Sequence, residues 1–314
     1  MVRPLHTSQY GSMDTATSSG RVTAIDWGLE PGPAAFERFY RQITDRDELP
    51  TIPEVARHLM MAVNCETTSP RELASLIGRD QSLAATLLRL ANSAFFGLQR
   101  TVTDLGHAVT LLGFGNVRDL VMTLSLWSII GDGDPTTSKR RKPLWIHCAS
   151  VAAAAKLLAK RVGRLDAGEA LSAGLLHDIG KLLLGLRLGA TYWEMLDRAD
   201  EAGEDSTTVE TDAFGIHHGT VGQYLLQLWA LPQPLYEAVS LHHEPLDYGR
   251  AIGIQQVVSA ANRVVHLMVR GSEEGIVELL ETLAPGRLTA EAWPALRGEF
   301  EAEQEQIAGF FGSH

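Results

Sequence analysis

Apolar residues recur every three or four positions through almost the whole of this chain, and the alternation of a half-buried strand is nearly absent. Ile52, Val55, Ala56, Leu59, Met60 and Val63 share one helical face, as do Leu83, Leu87, Leu90 and Ala91. This pattern predicts an all-α fold. The helix starts are marked as well. Ser69-Pro70-Arg71-Glu72 reads as a capping box with Pro at the first helical position. Asp80 precedes the Leu83 stripe as a cap. Gly113 and Gly115 break the periodicity, and Asn116 then caps a helix bearing Val117, Leu120, Val121 and Leu124.

With 314 residues, 45% of them apolar, the chain can bury either two ordinary cores or one large core with a satellite. Residues 1–32 are expected to be a disordered tail, its first part rich in Ser, Thr and Gly. Gly11-Ser12-Met13 within it has the look of a cloning junction with the native start at Met13. Residues 33–130 read as an N-terminal helical lobe. Residues 131–143 read as a linker, in which Gly-Asp-Gly-Asp-Pro leads to a solvated basic run, Lys139 to Lys142. A second helical lobe covers 144–270, with helices expected at about 166–188, 190–202, 218–229, 234–243 and 252–270. Residues 271–314 read as two further amphipathic helices. The expected architecture is a two-lobed helical bundle.

Composition removes several classes of function. A formal net charge of −11 disfavours nucleic acid and anionic membrane as partners. Ser69 to Asn92 has the cadence of a helix-turn-helix. Its second helix, however, spends Leu83, Leu87 and Leu90 on a buried face and offers Arg89 as its one basic residue, too few contacts to read DNA. No uncharged apolar run of about 18 residues is present, and the start of the chain lacks the apolar core of a signal peptide. Two distant cysteines, Cys65 and Cys148, make neither a disulfide framework nor a zinc knuckle, which fits a reducing cytoplasm.

The chemistry concentrates in histidines of the second lobe: His147, His177, His217, His218, His242 and His243. Imidazole and carboxylate are the usual ligands of zinc, iron and manganese. A carboxylate beside a histidine can bind one ion or bridge two, and two ions about 3.5–4 Å apart can activate water and clamp a phosphate. An isolated His-Asp pair says little. The string Ala-Gly-Leu-Leu-His-Asp-Ile-Gly-Lys says more, because it sets His177 and Asp178 at the end of an apolar helix. Gly180 there permits a tight turn, and Lys181 is placed to reach an anion. Neighbours on a helix point about 100° apart, so only one of His242 and His243 is expected to face inward, and likewise for His217 and His218. His107 and His266 read as structural or surface residues.

Residues 173–184, AGLLHDIGKLLL, resemble the signature of the HD superfamily of metal-dependent phosphohydrolases. LPTIPEVARHL (49–59), DQSLAATLLRLANSAFFGL (80–98) and AVTLLGFGNVRDLV (108–121) resemble, more narrowly, the HDOD family. LWIHCASVA (144–152), FGIHHGTVGQYLLQLWALP (214–232) and AVSLHHEP (238–245) continue that resemblance, which spans about residues 45–270. It implies two helical lobes and a role as an output or scaffold module in bacterial signalling, most members acting through contacts with other signalling proteins. The metal positions of the related HD-GYP phosphodiesterases map onto His147, His177, Asp178, His218, His242, His243 and, in place of a closing Asp, Asn262. Asn is a poorer ligand than carboxylate. After Glu244 the chain reads Pro-Leu-Asp-Tyr-Gly and lacks the GYP signature, which argues against cyclic di-GMP as a substrate by that route.

Two functions follow from the resemblance. One is a regulatory protein working through protein contacts, with one or two retained ions of iron, manganese or zinc as its cofactor. The other is a metal-dependent phosphohydrolase or phosphodiesterase in which Lys181 contacts the phosphate. An apolar contact surface near Phe95, Phe96 and Trp127 belongs to the first. Self-association through the C-terminal helices is open to both.

Overall fold

The structure, a computed structural model, describes residues 68–79, 81–92, 101–114, 117, 135–229, 231–246 and 252–312. The helical face from Ile52 to Val63, the Asp80 and Asn116 caps, the Phe95, Phe96 and Trp127 surface and the N-terminal tail lie outside the described residues. Every regular element among the described residues is an α-helix, so the all-α expectation holds.

Helices α1 (Pro70–Ile77), α2 (Gln81–Asn92) and α3 (Leu105–Leu112) pack on one another and bury Leu73, Ile77, Leu87, Ala91, Val109 and Leu112. The capping box at the start of α1 is formed: Ser69 N–H donates to Glu72 Oε2 at 2.7 Å, and Glu72 N–H donates back to Ser69 Oγ at 3.3 Å.

The long helix α4 (Pro135–Val162) is the spine of the remainder. Its first turns are residues 135–143, which the sequence reading gave to a linker. The Gly and Asp residues before it suggest a loop, but Pro135 is well suited to the first helical position, where no N–H is needed. Pro143 lies inside the helix, so α4 lacks the hydrogen bond that an N–H at 143 would give. Small residues then take over. Ala152, Ala153, Ala154 and Ala155 are buried, and helix α5 (Ala167–Leu176) crosses them so closely that a Cβ on Gly174 would lie 2.5 Å from Ala152 Cα.

The chain breaks at His177 and Asp178 and resumes as α6 (Ile179–Leu188). The sequence reading carried one helix through 166–188. The break has a steric companion at Gly180, where a Cβ would lie 1.9 Å from the carbonyl oxygen of His218. This is where α6 meets α9 (His218–Leu228). Between them run α7 (Ala190–Ala202) and α8 (Ser206–Phe214). Helices α10 (Gln233–Leu241) and α11 (Ile254–Val269) close over α5, and α12 (Ile276–Leu283) packs on α11. The last helix, α13 (Trp293–Gly312), lies along α4, with Arg161 and Glu299 paired at 2.5 Å between them.

Candidate metal centre

Five elements deliver polar side chains to one buried point. His147 comes from α4, which shows it to the centre one turn beyond Pro143. His177 and Asp178 occupy the break between α5 and α6. His218 opens α9, and His242 and His243 follow the end of α10. Asp178, His177, His218 and His242 are almost fully buried. The expectation that His242 and His243 cannot both face inward fails for a local reason. Helix α10 ends at Leu241, and the chain turns, with Glu244 N–H donating to Leu241 O at 3.0 Å. The 100° rule of a continuous helix no longer applies, and both rings meet His218. For His217 and His218 one ring does turn away: His217 caps α9, accepting from Gly219 N–H.

Asp178 stands at the middle. Its Oδ2 lies 3.4 Å from His177 Nε2, 3.7 Å from His147 Nε2 and 2.8 Å from Lys181 Nζ. Its Oδ1 lies 3.1 Å from His218 Nε2 and 3.4 Å from His242 Nε2. Two donor groups result, His147–His177–Asp178 and Asp178–His218–His242–His243, sharing one carboxylate. Burial alone would push the Asp178 carboxyl up, but the Lys181 ammonium beside it outweighs burial and holds the pKa well below the usual range.

The tautomers follow from acceptors that can only accept. His177 Nδ1 lies 2.7 Å from the carbonyl of Gly174, and His242 Nδ1 lies 2.7 Å from that of Val239. Both Nδ1 atoms therefore carry the proton. His218 Nδ1 faces Glu210 Oε2 at 2.7 Å. The Nε2 atoms of His147 and His177, of His218 and His242, and of His218 and His243 approach one another to 3.2 Å in each case. Two imidazole lone pairs at that distance repel unless a proton or a cation lies between them. Burial lowers His147 and His242 well below the ordinary imidazole pKa, which keeps them neutral. Burial would lower His218 too, but Glu210 reverses the sign and raises it. Asp178 Oδ1 makes no hydrogen bond, and neither does buried Asn262 Oδ1. Neutral imidazoles with committed Nδ1 protons, converging on an under-bonded carboxylate, are suited to a divalent cation.

A groove of about 720 Å³ opens from this centre to the surface, walled by α4, α7, α11 and the turn after α10. Asn262 and Lys181 line it with His147, Asp178, His242 and His243. Lys181 is not extended toward solvent; its ammonium donates to Asp178. Arg140 of the basic run pairs with Asp197 at one end of the groove, and Arg270 pairs with Asp200 at 3.0 Å.

The sequence reading missed four residues here. Glu210 is fully buried and receives both the backbone N–H of His218 and the Tyr192 hydroxyl, each at 2.7 Å. Asp205 lies 3.5 Å from His243 Nδ1. The sequence reading expected no helix over 206–214, where α8 runs from an Asp205 cap to a left-handed Gly215, and nothing marked the inward aim of Glu210. His266, read as structural or surface, lies on the groove wall against His147, with ring centroids 4.7 Å apart. His107 stays away on α3 and is exposed there.

A model of the HDOD domain family matches residues 49–245. The chain belongs to the HDOD family. An uncharacterised protein of Treponema pallidum (strain Nichols) is 27% identical over 236 residues, which is 72% of this chain and 44% of that protein. The chain therefore spans less than half the length of that relative. Among solved structures, an HDOD domain protein of unknown function from Geobacter sulfurreducens superposes with a TM-score of 0.66 at 24% identity, covering 87% of this chain and 97% of that one. A protein of Shewanella amazonensis SB2B, named for an inferred metal-dependent phosphohydrolase activity, superposes at 0.63 with 18% identity, covering 87% and 98%. A protein of Marinobacter aquaeolei VT8, named for an inferred role in signal transduction, gives 0.64 at 23% identity, covering 89% and 66%. At these identities the likeness establishes the fold. Among the described residues, no helix is long and apolar enough to cross a membrane.

Proposed function

We propose that this chain is an HDOD signalling protein that acts through contacts with other proteins and carries a pair of divalent ions in its second lobe. His218, His242, His243 and Asp178 hold the first ion. His147, His177 and Asp178 hold the second, with Asn262 at its edge. The observation that carries this reading is the convergence on Asp178 of the Nε2 atoms of His147, His177, His218 and His242, those of His177 and His242 left free of a proton by their Nδ1 bonds to carbonyls. Glu210 fixes the ring of His218, and Lys181 keeps Asp178 ionised. The test is metal content by plasma mass spectrometry on protein purified without chelator. The expected result is two ions of iron, manganese or zinc per chain, lost together in Asp178→Ala. A protein that holds fewer than two, even after reconstitution, overturns the two-ion reading.

A phosphohydrolase is the second reading, and one observation favours it: the groove gives a ligand of ordinary size direct access to Asp178 and His147. Bound ions would supply Lewis-acid activation of water and positive charge for a phosphoryl group. The chain's own part is to orient the imidazoles, through Gly174, Val239 and Glu210, and to place Lys181 beside the reacting group. Turnover of phosphomonoesters or diesters by the loaded protein, abolished in His177→Ala, would move the assignment to this reading.

A further inference from the structure

The two donor groups are unequal. Asp178, His218, His242 and His243 offer four ligands to one ion, whereas His147, His177 and Asp178 offer three to the other. A divalent ion of this kind takes at least four ligands, and the nearest wall of the groove belongs to α11. Asn262 and His266 stand there at i and i+4, the spacing that sets two ligands on one helix face. The amide oxygen of Asn262 is a weak donor. His266 is an imidazole, exposed to the groove and without a hydrogen bond among the described residues, so its ring can turn. Its centroid lies 4.7 Å from that of His147. The ring pairs within the two donor groups lie between 4.2 Å (His242 and His243) and 5.1 Å (His147 and His177). His266 is thus packed against its neighbour as the other donors are packed against theirs.

We propose that His266 is a ligand of the second ion, completing the group made by His147, His177 and Asp178. The inference rests on the two-ion reading above. It makes the second ion the more exposed and weaker of the two, because one of its ligands lies on the open groove and Asn262 brings no charge. The first ion, enclosed by buried His218 and His242, is the tighter.

The experiment is a cobalt(II) titration of chelator-stripped full-length protein, read by ligand-field absorbance, with zinc counted by mass spectrometry after desalting. Wild type is expected to bind two ions in two steps. His266→Ala is expected to keep the first step and lose the second, its affinity falling about 10–100-fold or more. His266→Asp, which restores a ligand, is expected to recover it, and circular dichroism checks that each variant is folded. Two unchanged steps in His266→Ala overturn the inference and leave the two-ion reading standing. Fewer than two ions in wild type overturns that reading and the inference with it.

Discussion

Glu210 receives both the main-chain N–H and the ring Nδ1 of His218, each at 2.7 Å on the same carboxylate oxygen. The contact fixes where the ring stands and which nitrogen carries its proton. Tyr192 holds the other oxygen, so the carboxylate cannot swing away. Glu210→Gln is expected to weaken the first ion about 10–100-fold without unfolding the protein. Competition with a chromophoric chelator measures this directly, and an affinity equal to wild type would show that Glu210 serves only the fold.

Gly180 predicts a steric result. A methyl group there would lie 1.9 Å from His218 O and 2.8 Å from its carbonyl carbon, both backbone atoms that have nowhere to go. Gly180→Ala should cost about 3 kcal/mol, seen as a lower urea midpoint. It should also displace His218 and loosen the first ion. A variant of unchanged stability would mean that α6 and α9 separate more easily than their packing suggests.

Lys156 of α4 and Glu303 of α13 make a mostly buried, interacting pair. Burial lowers Lys156 to about 8 and raises Glu303 to about 7. The folded state therefore retains a proton on Glu303 that the unfolded chain releases from about pH 4.5. Stability should fall as pH rises from there to about 7, and recover above about 8, where the unfolded chain is the one holding the extra proton on lysine. Thermal melts from pH 5 to 10 should show a shallow minimum between. Lys156→Met with Glu303→Leu should match or exceed wild-type stability at pH 7.5, by up to about 4 kcal/mol. A flat pH profile would refute the account.

Removing the ions should destabilise the fold, because the centre joins α4, α5, α6, α9 and the end of α10. With free metal at 100 times its dissociation constant, each site adds about 2.7 kcal/mol. Chelation should therefore lower the melting temperature by several degrees, and Asp178→Ala should lose that response. An equal chelator effect in both proteins would place the metal elsewhere.

The first helix was legible because period and caps agree: Ser69 and Glu72 lie where capping chemistry wants them. That His147, His177, Asp178, His218, His242 and His243 come together was legible because the motifs that resemble the family place them at its spacing. What stayed hidden depended on breaks and on long-range aim. A rule for continuous helices ruled out one of His242 and His243, and only the end of α10 at Leu241 brings both in. The stop at His177 was marked by the motif, which sets His177 and Asp178 at a helix end, but not by periodicity, since Ile179, Leu182 and Leu183 continue the apolar pattern. Glu210 and His266 gave no signal, because a single polar residue on a helix does not say what it faces across the fold.

Pro143 leaves α4 one hydrogen bond short, one turn before His147. The remainder of that helix is a rod, and at 1.5 Å per residue the distance from His147 back to Pro135 is about 18 Å. If an ion binds as proposed, the helix that carries His147 is least constrained one turn away at Pro143, so a shift of that ring would be taken up there before it reached the first turns of α4.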